Sequence, residues 1–211
     1  MSDSIENKPN PLREQLKNLR AAQDPAEAER GALLIRGRLF TWLATTRDAL
    51  SKAGKPAPKN IAAFWPMAQE PDLLPLLYQW GSDDALTVSL PVVTGPNQPL
   101  EFRQWTHETH MTTGAFGIGE PDSEIAPLPD VILVPVLGFT RQGDRIGYGK
   151  GCYDRTLTKL KAEGHRFTAL GIAWACGDLD RIPGVDYTPQ PHDYRLDGIL
   201  TDKGWALKLP E

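Results

Sequence analysis

The chain has little that would tie it to an oxidising compartment, a membrane or a nucleic acid. Its 211 residues include two cysteines, Cys152 and Cys176, too few for a disulfide scaffold and without the Cys/His spacing of a zinc site. Two reduced thiols are the expected state. No apolar run approaches a membrane span, and the N-terminal MSDSIENKPNP lacks an apolar signal core. An excess of cations is missing too. The formal net charge is −4, far from the broad basic field of a nucleic-acid binder. There is no internal repeat and no low-complexity segment. These absences predict a cytoplasmic, soluble monomer with neither nucleic-acid nor membrane partners. An acidic protein that binds phosphate must gather its cations locally.

What is present reads as alternating helices and strands. Residues 1–11 form a polar lead expected to be flexible, and 12–211 a single domain. Leu12, Leu16 and Leu19 follow helical spacing. Asp24-Pro25-Ala26-Glu27 carries a cap, a first-turn proline and a capping-box acid. It predicts a helix running to about Leu50 with Leu34, Ile35, Leu39, Trp42 and Leu43 on its apolar face. Ile61–Trp65 reads as a short buried strand, and Leu73, Leu76, Leu77 and Trp80 as one side of the next helix. Strands are predicted over Leu86–Val93 and, at an edge, Glu101–Trp105. Residues 106–129, rich in Gly, Pro and Thr, are expected to form a long surface loop. Val131–Val136 is the most apolar run and fits a central parallel strand buried on both faces. A helix from Cys152 follows, with Tyr153, Leu157 and Leu160 on one side and Gly164 at its end. Ala169–Ala175 and Gly198–Thr201 complete the strands. The alternation predicts an α/β fold, a three-layer α/β/α sandwich with a mostly parallel, Rossmann-like central sheet.

Between the apolar strand and that helix lies RIGYGKGCYDR, Arg145 to Arg155. Strand, loop and helix N-terminus together make an anion site, because open N–H groups and the helix dipole both favour negative charge. Gly147, Gly149 and Gly151 let backbone approach oxygens that a Cβ would block. Arg145 and Lys150 add charge, one as a fork and one as a point contact. Asp154 has two readings. With Mg²⁺ it is a ligand beside phosphate oxygens; without it, a first-turn acid on the helix dipole. The segment is neither a Walker A loop, since Asp144 stands where its first glycine belongs, nor GxGxxG. Alone, it could equally be a glycine-rich turn.

It does not stand alone. Arg145-Ile146-Gly147-Tyr148-Gly149-Lys150-Gly151-Cys152-Tyr153-Asp154-Arg155 resembles the arginine-led GYGxGxYDR loop of the 5-formyltetrahydrofolate cyclo-ligase family, also called 5,10-methenyltetrahydrofolate synthetases. Glu70-Pro71-Asp72, the segment Gly114–Pro121, the strand Asp130–Phe139, and Pro191-His192-Asp193 with Leu196-Asp197 resemble further motifs of that family, in the same order. The likeness runs from about residue 12 to 202.

The resemblance implies ATP- and Mg²⁺-dependent closure of 5-formyltetrahydrofolate to 5,10-methenyltetrahydrofolate, with or without a polyglutamate tail, giving ADP and phosphate through a phosphorylated formyl oxygen. It implies that Arg145 and Lys150 are catalytic. Arg13, Arg145, Ile146, Gly147, Tyr148, Gly149, Lys150, Gly151, Cys152 and Tyr153 would bind ATP, Trp65 and Glu70 the folate, and Asp154 and Asp193 Mg²⁺. Without the family match, Trp65 reads equally as core and Asp193 as a solvated loop acid. The sequence departs from the family at its N-terminal lysine, where Pro9 stands and Lys8 is one residue off. His107-Glu108-Thr109-His110 lacks the spacing of HExxH and reads as solvated, as do Lys159 and Lys161, and Arg103 reads as an exposed edge-strand charge. Two other functions remain open: a non-catalytic folate- or nucleotide-binding relative on the same fold, and a different ATP-using kinase or sugar-phosphate enzyme.

Overall fold

Each of the first two helices starts where the sequence offers a side-chain cap. In the computed structural model, which describes residues 10–209, Asn10 accepts from the N–H groups of Leu12 and Arg13 and opens α1 (Pro11–Ala21). Asp24 does the same for the N–H of Glu27 at the head of α2 (Pro25–Lys52). A proline follows each cap, fixing φ where no N–H partner is needed. Lys8, Pro9 and the rest of the predicted N-terminal lead before Asn10 lie outside the described residues. The buried face of α1 is not the leucine stripe of the spacing argument. Leu16 is buried, Leu19 is exposed, and Arg20 takes the inward position. On α2, Ile35, Leu39 and Leu43 are buried as expected, but Leu34 is exposed.

The chain then alternates: β1 (Asn60–Ala62), α3 (Leu74–Gly81), β2 (Thr87–Val92), β3 (Glu101–Gln104), β4 (Met111–Thr113), β5 (Gly119–Pro121), β6 (Val131–Pro135), β7 (Gly138–Phe139), β8 (Arg145–Ile146), α4 (Cys152–Ala162), β9 (Thr168–Ala173), β10 (Gly198–Thr201) and β11 (Gly204–Leu207). Seven strands form one sheet in the order β11-β10-β9-β6-β1-β2-β3. Its inner neighbours pair parallel, and only the edges β3 and β11 are antiparallel. Strand β6 sits at the centre, as its unbroken apolar run requires. Successive residues of β6 face opposite ways. Val131 and Leu133 pack with Ile35 and Leu39 of α2 and Leu77 of α3. Ile132 and Val134 pack with Leu157 and Leu160 of α4. That is the three-layer sandwich. Among the described residues no helix is long and apolar enough to cross a membrane.

Two expectations need correction. Residues 106–129 are not a bare loop. They hold the antiparallel β4–β5 pair, joined by a tight turn at Ala115–Gly117. Nor is β10 the last strand. It turns back at Lys203 into β11, with Thr201 opposite Gly204.

The chain runs outward in one direction from β1 to β2 and β3, and in the other from β6 to β9 and β10. The β1/β6 boundary is therefore the point where strand order reverses, and ligands of open α/β sheets bind beyond the carboxyl ends of strands at such a point.

Candidate functional site

The segments leaving β1 and β6 meet there. Trp65 and Glu70 follow β1, and the glycine loop follows β6 by way of the β7–β8 hairpin. Helix α1 lies across both, its Leu16 packed on Leu137, Ile146 and Leu179. Together they enclose a cavity of about 550 Å³, ample for a nucleotide-sized ligand. All the residues singled out from the sequence line it: Arg13, Trp65, Glu70, the continuous run Arg145–Asp154, and Asp193.

The loop is held from both sides. Arg13 Nε donates to the Gly147 carbonyl at 3.0 Å. Gly149 has φ +89, a conformation that disfavours any Cβ. Gly151 precedes α4 with φ +63 and supplies no side-chain cap, so the first N–H groups of α4 open towards the cavity. Lys150 is exposed and its Nζ stands 5.3 Å from the ring centre of Phe116, at the tip of the β4–β5 turn. That tip puts Phe116, Ile118 and Glu120 in the cavity wall.

Arg145 is buried. Its Nη2 is ion-paired with Asp154 Oδ1 at 2.8 Å, while its Nε has no hydrogen-bond partner among the described residues, nor does the sealed hydroxyl of Tyr153. Burial, first of all, pushes the Tyr153 hydroxyl far up, and the Glu70 carboxylate adds to it, so it stays a neutral donor. Unpaired buried donors of this kind call for an acceptor.

Two carboxylates face the same space. Asp154 Oδ1 accepts from the Tyr194 N–H at 3.1 Å. Asp193 Oδ2 accepts from Tyr187 Oη at 3.1 Å and from the Gln190 N–H at 2.8 Å. Each commits one oxygen to the protein and has no hydrogen bond on the other among the described residues. No group of three or more His, Cys, Asp and Glu side chains there is arranged to hold a metal. Two half-used carboxylates beside an anion cradle nevertheless suit Mg²⁺, which takes one or two carboxylates and fills its octahedron with phosphate oxygens and water. The donor set thus fits a magnesium–nucleotide complex: the Arg145 Nε, the N–H groups at the head of α4, and Asp154 with Asp193.

On the opposite wall Glu70 is buried. Its Oε2 accepts from the Met67 N–H at 2.8 Å and its Oε1 from Tyr148 Oη at 3.0 Å. Burial pushes its carboxyl up, partly offset by the Met67 N–H, the Tyr148 hydroxyl and the Arg20 charge. Trp65 meets Trp105 edge-on at 6.4 Å and also borders the cavity. His107 and His110 are exposed, as are Lys159 and Lys161, and Arg103 pairs with Glu101 at 2.8 Å on the edge strand.

Sequence reasoning missed Arg20, Glu120 and Phe116 as parts of this site. Arg20 stands seven residues after Arg13, hence on the same face of α1, and that repeat was the available signal. Glu120 is buried with Oε1 accepting from the Val93 N–H at 3.0 Å.

The sequence model of the 5-formyltetrahydrofolate cyclo-ligase family matches residues 5–202. A 5-formyltetrahydrofolate cyclo-ligase of Mycolicibacterium smegmatis is 34% identical over 161 residues, covering 72% of this chain and 77% of the relative. The solution structure of a 5,10-methenyltetrahydrofolate synthetase from Aquifex aeolicus superposes with a TM-score of 0.70 at 25% identity, over 95% of this chain and 92% of that one. A solved structure of a 5,10-methenyltetrahydrofolate synthetase from Mycoplasma pneumoniae gives 0.66 at 23% identity, over 90% of this chain and 96% of that one, a likeness of fold. With nearly its whole length matched and the cavity built from the matching motifs, the chain belongs to the 5-formyltetrahydrofolate cyclo-ligase family.

Proposed function

We propose that the chain converts 5-formyltetrahydrofolate to 5,10-methenyltetrahydrofolate, with ATP and Mg²⁺ as co-substrate and metal. The observation that carries this is the meeting, in one cavity, of a cationic glycine cradle built around buried Arg145 and a wall formed by Trp65 and Glu70. A formamide oxygen is a poor leaving group. Its phosphorylation makes it a good one, after which N10 attacks the formyl carbon, the ring closes and phosphate departs. The protein's task is to align the formyl oxygen with the γ-phosphoryl group and to stabilise charge on the transferring group.

Arg145 binds the transferring oxygens, a role supported by its buried Nε, which has no hydrogen-bond partner among the described residues. Lys150, on a flexible stem, supplies a second charge, and Arg13 reinforces the loop from α1. Asp154 and Asp193 would hold Mg²⁺, which would supply charge neutralisation to the phosphate. Glu70 accepts N–H groups of the pterin edge on the lone pairs left free by Met67 and Tyr148. Trp65 borders the flat ring.

The test is direct. Purified protein with 5-formyltetrahydrofolate, ATP and Mg²⁺ should give the near-UV absorbance of methenyltetrahydrofolate, and omission of ATP or Mg²⁺ should abolish it. Folate binding without turnover under complete conditions would select the non-catalytic reading instead.

A further inference from the structure

Helix α1 presents two arginines to the glycine loop. Arg13 holds the Gly147 carbonyl; Arg20, two turns on, reaches Tyr148. Arg20 is buried. Its Nη2 donates to the Val136 carbonyl at 2.8 Å, which fixes the guanidinium against the end of the central strand. Its Nη1 donates to Tyr148 Oη at 2.6 Å, and Tyr148 Oη donates in turn to Glu70 Oε1 at 3.0 Å. Arg20 Nη1 is itself 4.0 Å from Glu70 Oε1. The hydroxyl has one proton, and Arg20 occupies a lone pair, so the proton is committed to Glu70.

This chain of bonds has a particular topology. Glu70 belongs to the wall after β1. Tyr148 lies inside the glycine cradle, between Gly147 and Gly149. The two halves of the cavity are therefore tied by one hydroxyl, and that hydroxyl is aimed by one buried arginine.

We infer that Arg20 is a positioning residue which, through the Tyr148 hydroxyl, couples the nucleotide loop to the Glu70 carboxylate, so that occupancy of one half of the cavity orders the other. The inference rests on the proposed function and goes beyond it. The coupling is reciprocal: nucleotide tightens folate binding by the same factor as folate tightens nucleotide binding. It works by holding the loop and the carboxylate in the arrangement that both ligands need, so either ligand finds the ordering already done. Burial is the largest influence on the Tyr148 hydroxyl and pushes it far up, so the link persists as a neutral donor across the working pH range.

The experiment measures affinity for 5-formyltetrahydrofolate by calorimetry with and without Mg–ADP, in the wild type, Tyr148→Phe, Arg20→Gln and the double variant, alongside turnover and thermal melting. Wild type should bind folate about five-fold or more tighter with Mg–ADP present. Tyr148→Phe keeps the ring and removes the link, and should bring that ratio close to one and raise the folate KM at saturating ATP. Arg20→Gln should do the same. The double variant should be no worse than the poorer single, because both act on one chain of bonds. Tyr148→Phe that melts like wild type and retains the full ratio would overturn the inference while leaving the function intact. Losses in the single variants that add in the double would do likewise. A wild type that neither turns over nor binds folate would overturn the proposed function, and this inference with it.

Discussion

Replacing Gly149 by alanine tests whether the cradle conformation is required. Gly149 has φ +89, and a Cβ built there would come 3.1 Å from both the guanidinium carbon and Nη1 of Arg13. A left-handed residue with a Cβ costs about 1–2 kcal/mol. The contact adds to this, because Arg13 cannot retreat freely while its Nε holds the Gly147 carbonyl. If the loop keeps its shape, a strain of about 1–2 kcal/mol lowers the melting temperature by about 2–8 °C for a chain of this size. If the loop relaxes instead, melting is spared and the cost reappears on binding, as an ATP KM raised roughly 5–30-fold. Gly147→Ala is the control. Its φ is not left-handed, and its Cβ would meet one atom, Arg145 Nη1, at 2.9 Å. Pushing that buried guanidinium should lower kcat more than it raises the ATP KM. The assays are thermal unfolding and methenyl-folate absorbance over a range of ATP. Gly149→Ala with wild-type melting and wild-type ATP KM would refute the cradle argument, as would identical profiles for the two alanines.

Asp154→Asn keeps an oxygen for the Tyr194 N–H but removes the charge paired with buried Arg145, so the protein should melt at a lower temperature and, while still folded, need at least about ten-fold more Mg²⁺ for half-maximal rate; an unchanged Mg²⁺ titration would return Asp154 to a purely structural role. Glu70 has its carboxyl pushed above the ordinary 4.5, so acidification should protonate it and reduce kcat/KM for folate from a pH above that value, and Glu70→Gln should lower kcat/KM about 10–100-fold and flatten this limb. The same shift contributes stability that is fully present below pH 4.5 and lost as pH rises through the folded value, which urea melts across that range will register. Gly114→Ala would place a Cβ 2.0 Å from Glu120 Cδ; expelling Glu120 strands the Val93 N–H and should cost about 1–3 kcal/mol in urea unfolding, with no further loss in Gly114→Ala/Glu120→Ala. Phe116 has φ +65 and is exposed, so Phe116→Gly should relieve about 1 kcal/mol of backbone strain while raising the ATP KM a few-fold through loss of the Lys150 contact; a less stable variant would contradict this.

The fold was legible where local chemistry and burial agree. The run Val131–Val134 needs apolar neighbours on both faces, and only the centre of a sheet provides them. Asp24-Pro25 caps a helix from local atoms alone. The edges were harder. All four residues of β11 are half-buried, so no alternation marks it. Strand β4 is two-thirds exposed, and its pairing with β5 is hidden in a composition that suits loops. The site divides the same way. The glycine loop is continuous in sequence, and its neighbours came with recognisable motifs. Arg20 is different. Its partners Val136 and Tyr148 are 116 and 128 residues away, and beyond its seven-residue spacing from Arg13 nothing local distinguishes it from a solvated arginine.

The cations of this acidic chain divide by burial, and the division fits the residue types. Arg20 and Arg145 are buried, where a lysine would readily surrender its proton and a guanidinium does not. Each is fixed by at least one close oxygen: Val136 O for Arg20 and Asp154 Oδ1 for Arg145. Lys150 is exposed, flanked by two left-handed glycines, and set against the face of the Phe116 ring. The cradle is thus graded. Its Arg145 end is set before any ligand arrives, as electrostatic stabilisation of a transferring group demands. Its Lys150 end rests on a cation–π contact worth about 0.5–1 kcal/mol, weak enough to yield when a polyphosphate enters. A loop rigid throughout would obstruct entry, and one soft throughout would have to be ordered at the moment of reaction. Under the proposed reaction the stiff element would stand where charge develops and the soft one where the ligand passes, and a single stretch of sequence would meet both requirements.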